Sequence, residues 1–140
     1  MKIIQLLFSD ILKLSSNKRK LIRVCIDGFL LLSALVSCSF LFLEIFNITF
    51  YENIRLIIFL LFIGLPLYYL TGEYVSLTRY LGSSSFYKLA LRNLLITFIL
   101  FILGNVFNFY NLPINGWILI YLFVTGFTGL AKFIIRDLLL

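Results

Sequence analysis

The sequence has no histidine and only six acidic residues among its 140, so the side chains of most catalytic and metal sites are scarce. Without histidine, imidazole-based acid–base catalysis is excluded. No CxxC pair and no cluster of carboxylates is present to hold a metal ion. The two cysteines, Cys25 and Cys38, would lie about 20 Å apart in one helix, too far for a disulfide. We therefore expect neither a metal nor a cofactor.

Charge is also scarce, whereas apolar residues are abundant. Charged residues make up 13% of the chain and hydrophobic residues 62%, of which many are aromatic. A soluble domain of this length would have to expose large apolar patches to water, and such patches drive aggregation. The composition therefore predicts an integral membrane protein.

Four apolar runs give the predicted architecture. They cover about 21–46, 54–70, 89–109 and 117–135. A helix needs about 20 apolar residues to cross the hydrocarbon core, and each run approaches or exceeds that length. The sequence therefore predicts an all-α membrane protein with four transmembrane helices, in a membrane domain that spans 18–140.

Residues 1–17 have the pattern of a separate amphipathic helix. At helical spacing, one face is apolar and the opposite face is polar. The apolar face carries Ile3, Ile4, Leu7, Phe8, Ile11 and Leu14. This pattern is typical of a helix that lies in the membrane interface. We expect such a helix before the four-span domain.

The cations predict the orientation of these spans. If the N-terminus is cytoplasmic, 11 of the 12 lysines and arginines lie on the cytoplasmic side, and only Arg55 lies outside. Cytoplasmic ends of membrane spans are enriched in these residues. We therefore expect both termini to be cytoplasmic. Because the cations flank spans instead of forming one stripe, anionic lipid is a better partner for them than nucleic acid.

We first interpret the polar residues within and between the spans as residues that support helix packing. Gly126 and Gly129 are expected to let helices approach closely in lipid. Asn105 and Asn108 are expected to form hydrogen bonds between helices, with the lining of a cavity as the alternative. Asp27 lies about one turn into the first span, where a carboxylate is a functional candidate. An interaction with Arg23, four residues earlier, is the favoured alternative because it would fix the depth of the helix.

The stretch 71–93 is the one long segment that is not dominated by apolar residues. It is rich in tyrosine and contains Arg79, Lys88 and Arg92. Its place between the second and third spans makes it a cytoplasmic loop in the predicted topology. Composition alone favours a linker whose tyrosines lie at headgroup depth and whose cations contact anionic lipid.

Part of this stretch carries a family resemblance. Residues 72–80, GEYVSLTRY, resemble the GxYxxxxRY segment in the N-terminal membrane domain of bacterial polysaccharide-biosynthesis nucleotide-sugar dehydratases and epimerases. These are the membrane-bound NDP-sugar 4,6-dehydratases of the capsule and O-antigen type. The agreement in order and spacing extends over the chain, at Lys18-Arg19-Lys20, Ile26-Asp27-Gly28, Leu112-Pro113, Gly129-Leu130-Ala131-Lys132 and Arg136. The chain departs from the family at two places: a PRS motif reads Pro113-Ile114-Asn115, and the arginine after the glycines is Lys132.

The resemblance implies a membrane anchor in the bacterial inner membrane. In the family, the membrane domain leads into an NAD-binding Rossmann domain and a dehydratase domain, but no GxGxxG is present here. We therefore expect a non-catalytic, stand-alone or truncated anchor. It would position a separate dehydratase chain, or other polysaccharide-synthesis enzymes, at the cytoplasmic leaflet. The residues expected to form the contact surface are Tyr74, Arg79, Tyr80, Lys88 and Arg92.

Two other functions stay open from the sequence. A small four-span transporter or lipid-linked-sugar flippase subunit, acting as an oligomer, fits the length and the number of spans. Asp27 is the one residue in the spans suited to couple such transport to a proton. A non-functional gene remnant is the third interpretation. Homo-oligomerisation is compatible with each of the first two functions.

Overall fold

The regular structure is helical throughout the residues that the computed structural model describes, which are 15–71, 83–108 and 112–139. The four helices are α1 (Ser16–Ile45), α2 (Phe50–Leu70), α3 (Ser83–Val106) and α4 (Ile114–Leu139). All four are long and apolar enough to cross a membrane. The predicted all-α fold with four transmembrane helices is confirmed, and the chain is a multi-pass membrane protein.

All four helices begin three to six residues before the apolar runs that predicted them, whereas α1 and α3 end earlier than predicted, at Ile45 and Val106. The largest extension is in α3, which begins at Ser83, so 83–93 forms about three helical turns and is not a loop. Helical hydrogen bonding continues into the polar interface, where hydropathy no longer marks it. In α1, the first residues are Ser16 and Asn17, which the sequence analysis placed in the interfacial helix. The rest of the predicted interfacial helix, 1–14, lies outside the described residues.

A short turn makes α1 and α2 antiparallel. Asn47 follows α1 with φ 51°, a left-handed conformation that asparagine adopts more readily than most residues. Thr49 then caps α2: its backbone N–H donates to Glu52 Oε2 at 2.9 Å, and its hydroxyl accepts from the Glu52 N–H at 3.4 Å. This reciprocal capping satisfies donors that the first turn of a helix would otherwise leave open. Asn108, also at φ 51°, follows α3 in the same way.

The four helices pack in a closed ring, in which α1 contacts α2, α2 contacts α3, α3 contacts α4, and α4 contacts α1. Because consecutive helices run in opposite directions, the bundle has two distinct ends. We call one of them the basic end; it carries Lys18, Arg19, Lys20, Arg23, Lys88, Arg92, Lys132 and Arg136. The opposite end carries Glu44, Glu52 and Arg55.

Each helix turns one stripe of side chains inward and the rest of its apolar surface outward. The inward stripe of α2 recurs every four residues, at Leu56, Leu60, Gly64 and Tyr68. On the outward side Phe62 is 80% exposed, as expected for a residue that faces lipid. This extensive outward apolar surface accounts for the hydrophobic fraction of the chain, which is too high for a soluble globular protein of its size.

Glycine permits two close approaches between helices. A Cβ atom added at Gly64 would lie 3.3 Å from Leu31 Cδ1, and one added at Gly129 would lie 2.8 Å from Phe86 Cε2. Gly129 therefore has the packing role predicted for it. The same prediction was wrong for Gly126, which is exposed and would place a Cβ in open space. The two glycines lie three residues apart, about 60° around α4, and of the two only Gly129 faces Phe86 of α3.

These neighbouring glycines give a test of the packing. We expect Gly129→Leu to destabilise the bundle by about 1–3 kcal/mol, because the new side chain must displace Phe86 or separate α3 from α4. Gly126→Leu is the matched control, and we expect it to unfold at or above the wild-type temperature, because leucine is a better helix former and would face lipid. Thermal unfolding in detergent measures both. Equal destabilisation by the two variants would contradict this packing.

Candidate functional site

A hydrogen-bonded group of polar side chains lies inside the bundle, near the basic end. We call it the polar layer; it consists of Tyr68 from α2, Asn93 from α3, and Thr125 and Thr128 from α4. The Tyr68 hydroxyl donates to Asn93 Oδ1. Asn93 Nδ2 donates to Thr128 Oγ1 at 3.1 Å and to Thr125 Oγ1 at 3.3 Å. Three helices are thus joined through one amide.

The polar layer uses all the donors of its central residue. Asn93 is 0% exposed and Tyr68 is 1% exposed, so neither side chain exchanges hydrogen bonds with solvent. Both amide N–H groups of Asn93 have acceptors, and its carbonyl oxygen accepts from tyrosine. Thr128 in turn donates to the Val124 carbonyl at 2.6 Å. A fully satisfied group of this kind fixes how helices pack, since breaking it leaves polar atoms in an apolar surrounding.

On α1, the charged residue nearest the polar layer is Asp27. The neighbouring Gly28 lies against Leu65, with its Cβ position 3.7 Å from Leu65 Cδ1. Asp27 is half-buried and interacts electrostatically with the Tyr68 hydroxyl and with Arg23. The interaction with Arg23 was the favoured sequence interpretation of this residue. The proximity to Tyr68 was not predicted, because it depends on how α1 packs beside α2.

Arg92, adjacent in sequence to the polar layer, holds the end of α2. Its Nη2 group donates to the Thr71 carbonyl at 3.0 Å. Carbonyl groups at a helix C-terminus lack partners within the helix, and a cation there is favoured by the helix dipole. The bond therefore joins the last turn of α2 to α3 across the intervening segment 72–82. Arg92 was predicted as part of a contact surface, and the structure places it in this internal contact.

The other predicted contact residues are not gathered in one place by the described structure. Lys88 is exposed on the first turns of α3. Tyr74, Arg79 and Tyr80 lie outside the described residues. At the basic end, Lys88 is therefore exposed, whereas Arg92 forms a hydrogen bond to the end of α2.

The sequence analysis missed the central residue of this site. It assigned interhelical hydrogen bonds to Asn105 and Asn108, but both are exposed, so that expectation was wrong. Asn93 lies within the third predicted span, 89–109, but it also closes the polar stretch 71–93, which was interpreted as a loop. One signal was available: Asn93 and Thr97 lie one turn apart and so share a helix face. Thr97 is buried and donates to the Asn93 carbonyl at 2.8 Å.

The chemistry available here is that of hydrogen bonding and charge placement. Within the described residues, no group of three or more His, Cys, Asp or Glu side chains comes together as a metal site would require. Comparisons with protein-family models, with curated proteins and with solved structures found no match. The structural role of the polar layer therefore rests on its own geometry.

The polar layer can be tested on α3 alone. We expect Asn93→Leu to lower the free energy of unfolding by about 1–2 kcal/mol, since hydrogen bonds between helices in membranes contribute in that range. The substitution would leave the Tyr68 hydroxyl without its acceptor. Asn105→Leu, on the exposed face of the same helix, is the control and should leave stability unchanged. Unfolding in mixed micelles measures both variants; similar losses in the two would exclude a special role for Asn93.

Proposed function

We propose that this chain is a non-catalytic membrane domain that holds nucleotide-sugar dehydratase or epimerase domains at the cytoplasmic face of a bacterial inner membrane. These domains would serve surface-polysaccharide synthesis. The observation that carries the proposal is the Arg92–Thr71 hydrogen bond. It links the two helices on either side of segment 72–82, whose sequence resembles the GxYxxxxRY segment of that family. At the basic end, the helices that precede and follow this segment are thus in direct contact.

The interior of the bundle supports an anchor over the alternative of a transporter or flippase subunit. Coupled transport commonly uses ionisable side chains deep in the membrane. Among the described residues, Asp27 and Arg92 are the charged side chains farthest from the helix ends at the basic end, and both lie near the level of the polar layer. Of the buried residues in the described part of the chain, the polar ones outside the polar layer are Thr97 and Asn53, and neither is ionisable. This arrangement suits a bundle that stays packed.

The charge difference between the two ends supports a cytoplasmic basic end. Cations in short segments beside a span are retained on the cytoplasmic side during insertion. All the cations of the described helices except Arg55 lie at the basic end. In this orientation segment 72–82 faces the compartment that holds soluble sugar nucleotides.

Cysteine labelling on intact cells tests this orientation. In a background with Cys25 and Cys38 replaced by alanine, we expect Tyr51→Cys to react with a membrane-impermeant thiol reagent added outside. Lys88→Cys should react only after permeabilisation. Both positions are exposed, so the two variants differ in side and not in burial. External labelling of Lys88→Cys would reverse the proposed orientation.

Binding of a catalytic partner tests the function itself. The full chain is placed in nanodiscs and mixed with the soluble catalytic domains of a membrane-bound NDP-sugar 4,6-dehydratase. We expect the catalytic domains to be retained, and Arg79→Ala with Tyr80→Ala to reduce retention about tenfold, as loss of an arginine–tyrosine hot spot does. Size-exclusion chromatography of the complex measures retention.

The opposite end provides a matched control for this experiment. Tyr51→Ala with Arg55→Ala removes the same two residue types, and we expect it to leave retention unchanged. If the wild-type chain retains no catalytic domain, the proposed function is refuted and a transport assay on the same nanodiscs becomes decisive. Equal losses in the two double variants would show that retention follows charge alone.

A further inference from the structure

Two arginines on α1 face the bundle at the basic end. Arg19 and Arg23 lie four residues apart, so they share one face of the helix. Both are half-buried, as is Lys20, whereas Lys18 and Leu21 on the same turns are exposed. The Nε atoms of both arginines are shielded from solvent. Their stems therefore lie against protein, and the pair forms a fixed feature of the basic end.

The packing of α1 against α2 sets the depth of this pair. The Cβ positions of Gly28 and Gly64 lie 3.7 Å from Leu65 and 3.3 Å from Leu31, respectively. The helices are antiparallel, so moving outward from these contacts brings Arg23 level with the end of α2, near Leu70. Arg19 lies one turn farther out, about 6 Å at 1.5 Å per residue. Since α2 has about the length of a hydrocarbon core, the pair lies at the headgroup layer.

Like charges lie beside each other at this position. Arg19 and Arg23 are close enough to repel each other electrostatically, and Asp27 supplies one opposing charge, acting on Arg23. For the shielded Nε–H of Arg19, the described part of the chain offers no acceptor within hydrogen-bond reach. A donor shielded from water and left without an acceptor is unfavourable. An anion held against Arg19 would relieve both the repulsion and the missing hydrogen bond.

We propose that Arg19 and Arg23 form a binding site for the phosphate of an anionic lipid headgroup. A guanidinium group donates two parallel hydrogen bonds to phosphate, which makes arginine the side chain suited to bind it directionally. At this depth the surrounding bilayer presents lipid phosphates directly. The site does not depend on the function proposed above, because it is on α1 and needs no catalytic partner.

Lipid retention by the purified full chain tests the site. The protein is extracted into detergent with equal amounts of phosphatidylglycerol and phosphatidylcholine, and the retained lipids are counted by native mass spectrometry. We expect wild type to retain phosphatidylglycerol preferentially. Arg19→Gln with Arg23→Gln should reduce that preference about tenfold, the effect of losing a hydrogen bond to a charged group. Lys18→Gln with Lys20→Gln removes the same charge from the same turns and should preserve the preference.

Further variants separate a built site from a general attraction of charge. Arg19→Lys with Arg23→Lys keeps the charge but loses the planar donors, and we expect it to weaken the preference. Equal effects of the lysine-to-glutamine and arginine-to-glutamine variants would overturn the proposal, as would the absence of any preference in wild type. Displacement of the retained lipid by millimolar inorganic phosphate would refute a lipid headgroup as the occupant. Thermal unfolding of each variant checks that the bundle is intact.

Discussion

Hydrogen bonding of one buried amide sets the arrangement of this bundle. A bilayer core supplies no water, so the polar atoms of Asn93 must find partners on other helices. They find Tyr68 on α2, and Thr125 and Thr128 on α4. Apolar stripes alone would let helices slide past one another, because one leucine fills a gap much as another does. An amide with three specific partners favours one register, since any slip would leave polar groups unsatisfied.

This register determines what the basic end can do. Arg92 precedes Asn93 in sequence, so the bond that positions Asn93 also brings Arg92 to the end of α2 and to the Thr71 carbonyl. The Arg92–Thr71 bond holds the C-terminal end of α2 against α3, about two and a half turns after α3 begins at Ser83. Loops that carry function are commonly held in this way by a rigid scaffold. The buried hydrogen bonds of Asn93 and the contact between α2 and α3 at the basic end are therefore parts of one arrangement.

The number and the type of the helices could be predicted from the sequence because hydrocarbon thickness imposes a length on apolar runs. The start of α3 at Ser83 could not, because helix formation in the polar interface leaves no hydropathy signal. The roles of Gly126 and Gly129 were also indistinguishable by composition, since the facing helix decides which of them is buried. For the same reason, the partners of Asn93 depend on packing, which a single sequence does not display.

The arginines of the basic end differ in what satisfies them. Arg92 donates to a protein carbonyl, whereas the Nε–H of Arg19 has no acceptor in the described part of the chain. One arginine thus stabilises the junction of α2 and α3, and the other is suited to a partner from the bilayer. A bundle that binds headgroup phosphate at a fixed height resists movement along the membrane normal, because such movement would break charge-assisted bonds. Fixed height is what a domain requires if it holds an enzyme beside a membrane surface.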